Sequence, residues 1–282
     1  MAIFTNRATL SYNGGTINSN TVTGELLEVL SVTKDAVSDV YAAGDVVTYV
    51  VTIRNTGTGA LTGLTVTDDL GGYEFEGQTV YPLTYVPGSL LYYQNGAPQP
   101  APAVVAGPPL TVSGITVPAG GNGTLVYQAA VNDLAPLAAG DTIVNTVTVT
   151  GAGVLAPVSD TETINARQQA ELTISKALCP AVVTDNSRLT YTFVIQNTGN
   201  TPVVATDNAV ITDVFDPVLT DIAVTYNGSV WTEGVNYTYD ETTGLFTTLP
   251  GIAVPAATYT RNPDGTFTVT PGVATVTVTG TV

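Results

Sequence analysis

The sequence contains two copies of one β-rich repeat, and the copies are out of phase with the ends of the chain. Each copy has a strand of alternating apolar and polar residues that ends in Asn-Thr-Gly, at residues 55–57 and 197–199. A period of two places apolar side chains on one face of a strand, and Asn and Gly tolerate the backbone angles of a tight turn. The repeat therefore predicts short strands joined by turns rather than helices.

Repeats of this length, rich in threonine and valine, predict an all-β protein with two tandem immunoglobulin-like β-sandwiches. We expect an N-terminal donor-strand segment at residues 1–30, a complete sandwich at 31–166, and a second sandwich at 167–282 that lacks its last strands. On each strand the apolar side chains are expected to point inward and the threonines outward.

The composition excludes several classes of function. A formal charge of −16 argues against a nucleic-acid partner, because neutralising phosphates requires a basic face. With no histidine and one cysteine, the chain cannot form a Ser-His-Asp triad, a Cys-His pair or an internal disulfide. No segment is long and apolar enough for membrane insertion. We predict no cofactor and no enzymatic activity.

Several anchors recur along the chain, including Ile-x-Asn-Thr-Gly, Val-Thr-Asp-x-Leu and Ile-x-Val-Pro-Ala. They resemble the repeat domain of unknown function that occurs in tandem in bacterial and archaeal cell-surface proteins. The resemblance covers nearly the whole chain and implies a β-sandwich with a surface or adhesive role. The second copy departs from the family pattern because it lacks the closing strand that contains an asparagine.

The ends of the chain predict how that strand is supplied. Residues 4–12 match residues 143–151 in pattern, and Asn145 lies 111 positions after Lys34. Counting from Lys176 to the end of the chain and on into a following copy reaches Asn6 after 112 positions. This agreement predicts that residues 1–30 of one subunit insert into the second sandwich of the preceding subunit by β-strand addition.

The predicted partner is therefore a second copy of the chain, in a head-to-tail homopolymer. The side chains expected on the donor strands are Phe4, Asn6, Ala8, Leu10, Tyr12, Ile17 and Val22. Two alternatives remain open at this point. Residues 1–30 would close the second sandwich of their own chain, or the sequence would be a piece of a longer tandem protein.

The two lysines of the chain, Lys34 and Lys176, occupy the same place in the two copies. An amine on a first strand, a carboxylate on a middle strand and an asparagine on a last strand are the groups that a Lys–Asn isopeptide bond requires. This predicts one bond within the subunit and one between subunits. The first set is Lys34, Asn145 and Asp68; the second is Lys176, Asp213 and Asn6 of the next subunit. Alternatively, both lysines are exposed charges that discourage edge pairing.

Two further features of the sequence give weaker indications of function. Asp207, Asp213 and Asp216 are calcium candidates, although they lack the spacing of a dedicated loop. The long inserts at 71–113 and 222–246 support an alternative function, an adhesin or binding module for a carbohydrate or a host protein. Either function places the chain outside the cell, on a cell surface or a spore surface. The absence of a recognisable signal peptide is expected of a mature chain or of one assembled on a spore within its mother cell.

Overall fold

The structure, a computed structural model, describes residues 2–282, apart from the side chains of Ala2 and Leu26. Met1, the first residue of the predicted donor segment, lies outside the described residues. Nearly all of the described secondary structure is β-strand, with one short 3-10 helix at Ala205–Asp207. The prediction of an all-β fold with tandem sandwiches is confirmed.

The N-terminal strands form a separate antiparallel ribbon, called here the N-terminal ribbon. Its strands are β1 (Ala2–Asn6), β2 (Thr9–Tyr12), β3 (Gly15–Asn18) and β4 (Val22–Leu26). Strand β1 pairs with β4 and β2 pairs with β3, around a turn in which Asn13 and Gly14 have φ angles of 46° and 76°. Positive φ at both central residues is typical of a type I′ hairpin turn. Residues 19–21 form a bulge opposite the two residues that separate β1 from β2.

Contacts divide the chain into two compact units. Unit 1 comprises residues through Asn132 together with Ile143–Ile164, and unit 2 comprises Asp133–Thr142 together with Asn165–Val282. In both units threonines on neighbouring strands pair on the outer faces. The hydroxyls of Thr190 and Thr279 are 2.8 Å apart in unit 2, for example. Cross-strand pairs of this kind add to sheet stability.

Beyond the N-terminal ribbon, unit 1 has two sheets that enclose a core. Its strands are β5 (Leu30–Ala36), β6 (Val40–Tyr41), β7 (Val46–Asn55), β8 (Leu61–Asp68), β9 (Tyr73–Phe75), β10 (Gln78–Val80), β11 (Leu83–Tyr85), β12 (Leu91–Gln94), β13 (Ala97–Gln99), β14 (Ala103–Val105), β15 (Leu110–Val117), β16 (Asn122–Val131), β17 (Thr142–Thr150) and β18 (Val158–Ala166). One sheet has the order β13-β12-β16-β7-β5, and the other has the order β14-β15-β8-β17-β18-β6. The pair β17–β18 therefore lies inside the second sheet, between β8 and β6.

Unit 2 repeats the first of these sheets. Its strands are β19 (Leu172–Cys179), β20 (Arg188–Asn197), β21 (Thr212–Val214), β22 (Thr220–Tyr226), β23 (Ser229–Trp231), β24 (Tyr237–Asp240), β25 (Leu245–Thr248), β26 (Thr258–Arg261), β27 (Phe267–Thr270) and β28 (Gly272–Thr281). The main sheet has the order β19-β20-β28-β22-β23, and the other described strands of unit 2 form the three-stranded sheet β21-β25-β24 and the pair β26–β27.

The structural difference between the units concerns the pair β17–β18. In unit 1, β17 pairs with β8, and Val147 is opposite Asp68. In unit 2, β21 contains Asp213 at the position of Asp68 and pairs with β25 on one side. Among residues 2–282, no strand pairs with the other side of β21. Unit 2 as described is thus a sandwich with an open sheet edge.

The Asn-Thr-Gly sequences use the asparagine side chain rather than unusual backbone angles. Asn55 is fully buried, and its Nδ2 atom donates to the carbonyl oxygens of Gly59 at 2.8 Å and Pro118 at 3.1 Å. Its Oδ1 atom accepts the N–H of Gly57 at 2.9 Å. Asn197 makes the same kinds of bonds in unit 2. None of these asparagines or glycines has a positive φ, so the backbone reason given from the sequence was wrong.

Candidate functional site

A buried ion pair joins the two sheets of unit 1. The Nζ atom of Lys34 on β5 lies 2.5 Å from Oδ2 of Asp68 on β8, and the side chains are 0% and 2% exposed. Burial lowers the pKa of Lys34, because removing an ammonium group from water disfavours its charged form. The attraction of Asp68 opposes this effect but does not cancel it. The structure therefore brings together two of the three groups predicted for an isopeptide bond in unit 1.

Two tyrosines surround this pair, and the sequence analysis did not identify them. The Tyr127 hydroxyl donates to Oδ2 of Asp68, and the Lys34 Nζ atom lies 4.7 Å from the centre of the Tyr49 ring. The two rings stack with centroids 5.8 Å apart. Burial raises the pKa of Tyr127 well above its usual value, and the charge of Asp68 acts in the same direction. Their inward positions on β7 and β16 were the available signal, but alternation predicts only that such residues belong to the core.

Asn145 on β17 lies in the same buried region. It is fully buried, and its Oδ1 atom accepts the N–H of Gly71 at 3.2 Å. Its Nδ2 atom has no hydrogen-bond partner among the described residues. Leaving a buried amide nitrogen unpaired costs about 1–3 kcal/mol, so this atom is a departure from ordinary packing. Asn145 lies beside Tyr49, whose ring faces the amine of Lys34.

Such a set of groups is chemically suited to amide exchange. A lysine kept from water favours the neutral amine, which is the nucleophilic form. An adjacent carboxyl group can hold the displaced proton and later deliver it to a leaving amine. The asparagine provides an amide carbon and a leaving –NH₂ group. These are the groups that formation of a Lys–Asn amide with release of ammonia requires.

Unit 2 has the lysine and the carboxylate in a more open setting. Lys176 on β19 forms an ion pair with Asp213 on β21, with side-chain exposures of 38% and 20%. Three aromatic rings surround the amine. Its Nζ atom lies 4.2, 5.6 and 5.4 Å from the ring centres of Tyr191, Phe193 and Phe215, respectively. Aromatic faces stabilise the charged form of a lysine.

An apolar groove lies beside this pair, within unit 2. Its lining includes Leu172, Ile174, Ile195, Val210, Ile211 and Val254. Ile174 is 58% exposed, whereas Val32, at the same position of β5, is 7% exposed. In unit 1 the corresponding space holds β17, whose side chains Ile143, Val147 and Val149 are 2% exposed or less. Unit 2 therefore leaves exposed a surface that unit 1 covers with the pair β17–β18.

The N-terminal ribbon is complementary to this groove, because its strands carry apolar side chains that cover no core. In the structure all of the predicted donor side chains are exposed: Phe4, Asn6, Ala8, Leu10, Tyr12, Ile17 and Val22. Exposure reaches 73% for Tyr12 and 67% for Ile17. The ribbon strands pair only with one another in the described chain. Asn6 is thus exposed on the ribbon rather than buried beside a lysine.

The N-terminal ribbon matches β17–β18 in register as well as in sequence. The side-chain hydroxyls of Thr146 and Thr161 lie 3.1 Å apart, which makes these residues opposite one another. By that register Ile143 faces Ile164. In the ribbon, Phe4 faces Gly24, and the Phe4 ring fills the space above the glycine. The large Phe4 side chain and a glycine thus stand where β17–β18 has two isoleucines of intermediate size. The two arrangements fill a similar volume.

The calcium candidates are not brought together. Asp207 accepts the N–H of Val204 at 2.8 Å, Asp213 pairs with Lys176, and Asp216 precedes a proline. No group of three or more potential ligand side chains that could hold a metal ion occurs among residues 2–282. In the same part of the chain, no helix has the length and apolarity needed to cross a membrane.

The inserts proposed for ligand binding are largely built into the sheets. Within 71–113, β12 pairs with β16, and the Tyr92 side chain is 6% exposed with its hydroxyl bonded to the carbonyl of Thr116. Within 222–246, β22 pairs with β28, and the Trp231 ring stacks on Tyr226 with centroids 4.9 Å apart. These aromatic residues therefore serve packing in the described structure.

No protein-family model matches the chain, and no curated protein matches it. Among solved structures, the chain is similar to the major pilin subunit BcpA of Bacillus cereus, at 14% identity and a TM-score of 0.37, over 96% of this chain and 73% of that one. The pilus backbone protein RrgB of Streptococcus pneumoniae matches at 12% identity and a TM-score of 0.34, over 86% of this chain and 55% of that one.

A transglutaminase from red sea bream also matches, at 13% identity and a TM-score of 0.28, over 80% of this chain and 28% of that one. Similarities at these identities and TM-scores carry no argument about function, whether the matched protein is a pilin or an enzyme. The resemblance to the tandem surface-protein repeat likewise stays a prediction. The evidence for a function therefore lies in the groove, the N-terminal ribbon and the lysine sites.

Proposed function

We propose that the chain is a structural subunit of an extracellular or surface filament that polymerises head to tail by donor-strand complementation. The N-terminal ribbon of one subunit fills the groove of unit 2 in the preceding subunit. The observation that carries this proposal is the exposed groove between Leu172 and Val254, together with an equally exposed ribbon of matching sequence.

The register of the insertion follows from unit 1. There, Val147 is opposite Asp68 and Val149 is opposite Val66. Ala8 and Leu10 are the ribbon residues that match these valines, and Asp213 is the residue that matches Asp68. Insertion in the same register puts Ala8 opposite Asp213, and β2 continues the sheet that ends at β21. Phe4, Asn6 and Leu10 then point into the groove.

The free energy for this association comes from burial of apolar surface. Phe4, Leu10, Ile17 and Val22 are each more than half exposed on the ribbon, at 54% to 67%. Full burial of one such side chain contributes about 1.5–3 kcal/mol, and the backbone bonds along β21 add to it. Because the ribbon and the groove are different surfaces, the interface is heterologous and propagates into a fibre unless it closes as a ring.

The proposal also includes a covalent bond that locks unit 1. Lys34, Asp68 and Asn145 form a buried set in which a Lys–Asn isopeptide bond joins β5 of one sheet to β17 of the other. Because β5 is the first strand of this sandwich in chain order and β17 the last but one, the bond would hold the chain between them against extension. This part of the proposal depends on the buried amine of Lys34 and the unpaired Nδ2 atom of Asn145.

Deletion of the N-terminal ribbon tests the filament. The ribbon pairs with no other strand, so a chain of residues 27–282 keeps every other described strand pairing. We expect the full chain to form fibres visible by negative-stain microscopy, and the deleted chain to remain monomeric in size-exclusion chromatography. Fibres from the deleted chain would refute donor-strand complementation. A full chain that is monomeric, with the ribbon protected from proteolysis, would indicate closure within one subunit instead.

A binding module remains the second candidate, because the apolar groove in unit 2 is open in the described chain. It would accept an extended peptide from a host protein in place of the N-terminal ribbon. A full chain that stays monomeric while it binds a foreign peptide or a glycan would favour this function.

A further inference from the structure

Unit 2 has two of the three groups of the unit 1 cluster and lacks the third. Lys176 and Asp213 are paired, as Lys34 and Asp68 are. Asn145, the third group in unit 1, belongs to β17, and no described strand of unit 2 occupies the place of β17. Whatever covers the groove must therefore supply the amide.

The N-terminal ribbon has an asparagine at the matching position. Asn6 is opposite Val22, as Asn145 is opposite Glu162 in the register set by Thr146 and Thr161. In unit 1, Asn145 precedes by two residues the valine that faces Asp68. On the ribbon, Asn6 precedes Ala8 by two residues and shares its face.

We propose that Lys176 of one subunit and Asn6 of the following subunit form an isopeptide bond, and that the bond forms only after the N-terminal ribbon has closed the groove. The inference rests on the proposed head-to-tail assembly and adds to it a covalent step that assembly itself initiates. The filament would thus become a continuous covalent polymer without a separate ligating enzyme.

The step balances without any added reagent. Lys176 first gives a proton to Asp213 and becomes a neutral amine. Its Nζ atom attacks Cγ of Asn6, and the tetrahedral intermediate collapses with cleavage of the bond from Cγ to Nδ2. Asp213 gives its proton to the departing nitrogen, which leaves as ammonia, and then takes up the second proton that Nζ loses as the amide forms. One C–N bond forms and one breaks, and nothing is oxidised or reduced.

The open groove keeps the amine from reacting early. Lys176 is 38% exposed, so water reaches its amine until a strand covers it, and three aromatic rings lie 4.2 to 5.6 Å from its Nζ atom. Insertion of the N-terminal ribbon would remove the water from this site and leave Asp213 as the group that accepts the proton. The burial of Lys34 in unit 1, at 0% exposure, is the state that closure would reproduce.

Unit 2 also differs from unit 1 in a way that favours this transfer. Tyr127 faces Tyr49 across β16 and β7, and its hydroxyl donates to Asp68. Across β28 and β20, the residue that faces Tyr191 is Val278, which has no hydroxyl. Among residues 2–282, Asp213 therefore has no counterpart of the Tyr127 hydrogen bond, and no tyrosine hydroxyl shares its carboxylate with Lys176.

Four full-length variants test the inference: Asn6→Ala, Lys176→Arg, Asp213→Ala and the control Asn20→Ala. Asn20 is an exposed asparagine on the same ribbon and has no place in the site. Fibres are first counted by negative-stain microscopy and then boiled in SDS. Trypsin cleaves after Arg7, Arg167 and Arg188 but not after a linked Lys176, so the bond joins peptide 1–7 to peptide 168–188, with a mass about 17 Da below their sum because one ammonia is lost.

We expect a ladder of SDS-resistant multimers and the joined peptide from the unaltered chain and from Asn20→Ala. The other three variants should still form fibres that dissociate to monomer in SDS. Fibres of the unaltered chain that dissociate in SDS, without the joined peptide, would overturn the covalent inference and leave the filament intact. Absence of fibres from every chain would instead overturn the proposed function. A ladder that persists in Asn6→Ala would assign the bond to another residue and also overturn the inference.

The order of events is tested with the chain of residues 27–282 and a synthetic peptide of residues 2–26. We expect one ammonia to be lost on mixing, and no reaction when the peptide carries Leu10→Asp, which keeps Asn6 but opposes insertion. Equal reaction with the altered peptide would show that closure is not required and would refute this part of the inference.

Discussion

The Lys34 Nζ atom lies 2.5 Å from Asp68 Oδ2, and neither side chain is more than 2% exposed. Two charges kept from water lose their hydration, and the attraction between Lys34 and Asp68 offsets only part of that cost for the lysine. Burial accordingly lowers the pKa of Lys34. The same residue types in unit 2, Lys176 and Asp213, are open to water. Reactivity in this chain thus depends on whether a strand covers the lysine.

The first prediction concerns pH and uses Asn145→Ala, which keeps Lys34 as a free amine. The native pKa of Lys34 is below its unfolded value of 10.5, so the unfolded chain binds more protons between these two values. Stability of unit 1 should therefore rise with pH in that window, by at most about 1.4 kcal/mol per pH unit. Urea unfolding followed by circular dichroism measures this slope. The double variant with Lys34→Met should lose it, and an unchanged slope would contradict the assignment.

The second prediction concerns the bond within unit 1. Asp68→Asn removes the proton carrier, so Lys34 and Asn145 should stay unlinked and the intact mass should be about 17 Da higher, one ammonia, than that of a linked unit. Tyr127→Phe removes a hydrogen bond to Asp68 but leaves the reacting groups in place, so the bond should form more slowly. Tryptic digestion gives the readout, because a linked Lys34 joins peptide 8–54 to peptide 55–167. Linkage in Asp68→Asn at the normal rate would exclude Asp68 as the proton carrier.

The third prediction separates the inward and outward faces of the N-terminal ribbon. Leu10 matches the buried Val149, and its neighbour Ser11 matches the exposed Thr150. Leu10→Asp should weaken assembly by at least about 100-fold, because it puts a charge into the apolar groove and loses the burial of a leucine. Ser11→Asp, with the same charge one position away, should assemble nearly as the unaltered chain does. Sedimentation of fibres over a concentration series compares them, and equal losses would indicate a different register.

Alternation and turn residues were enough to predict the tandem sandwiches and the strand on which each lysine lies, because both features depend on local sequence pattern. The pairing of Lys34 with Asp68 also followed from strand order. Tyr49 and Tyr127 were missed because their inward positions predict only packing, and their role depends on contacts between two sheets. The Asn-Thr-Gly sequences were misinterpreted for a similar reason. The bond from Asn55 to Pro118 connects segments 63 positions apart in the sequence, and no local pattern specifies it.

The fourth prediction follows from these buried asparagines. Asn197→Ala leaves the carbonyls of Thr201 and Pro255 and the N–H of Gly199 without their partner, and should destabilise unit 2 by about 3 kcal/mol. Trp231, the single tryptophan, belongs to unit 2, so its fluorescence follows unfolding of that unit. Asn55→Ala is the matched control. It should destabilise unit 1 to a similar extent and leave the tryptophan transition nearly unchanged.

The fifth prediction tests whether unit 2 is an acceptor that is complete only when its groove is filled. In the chain of residues 27–282, with Lys176→Arg to prevent any covalent step, the peptide of residues 2–26 should raise the stability of unit 2. A peptide at 100 times its dissociation constant stabilises by about 2.7 kcal/mol, because it binds the folded form alone. The Trp231 transition should shift accordingly, while the transition of unit 1 stays in place because its own β17–β18 already fills the equivalent space. If the peptide stabilised unit 1 alone, unit 1 rather than unit 2 would be the acceptor, and the prediction would be wrong.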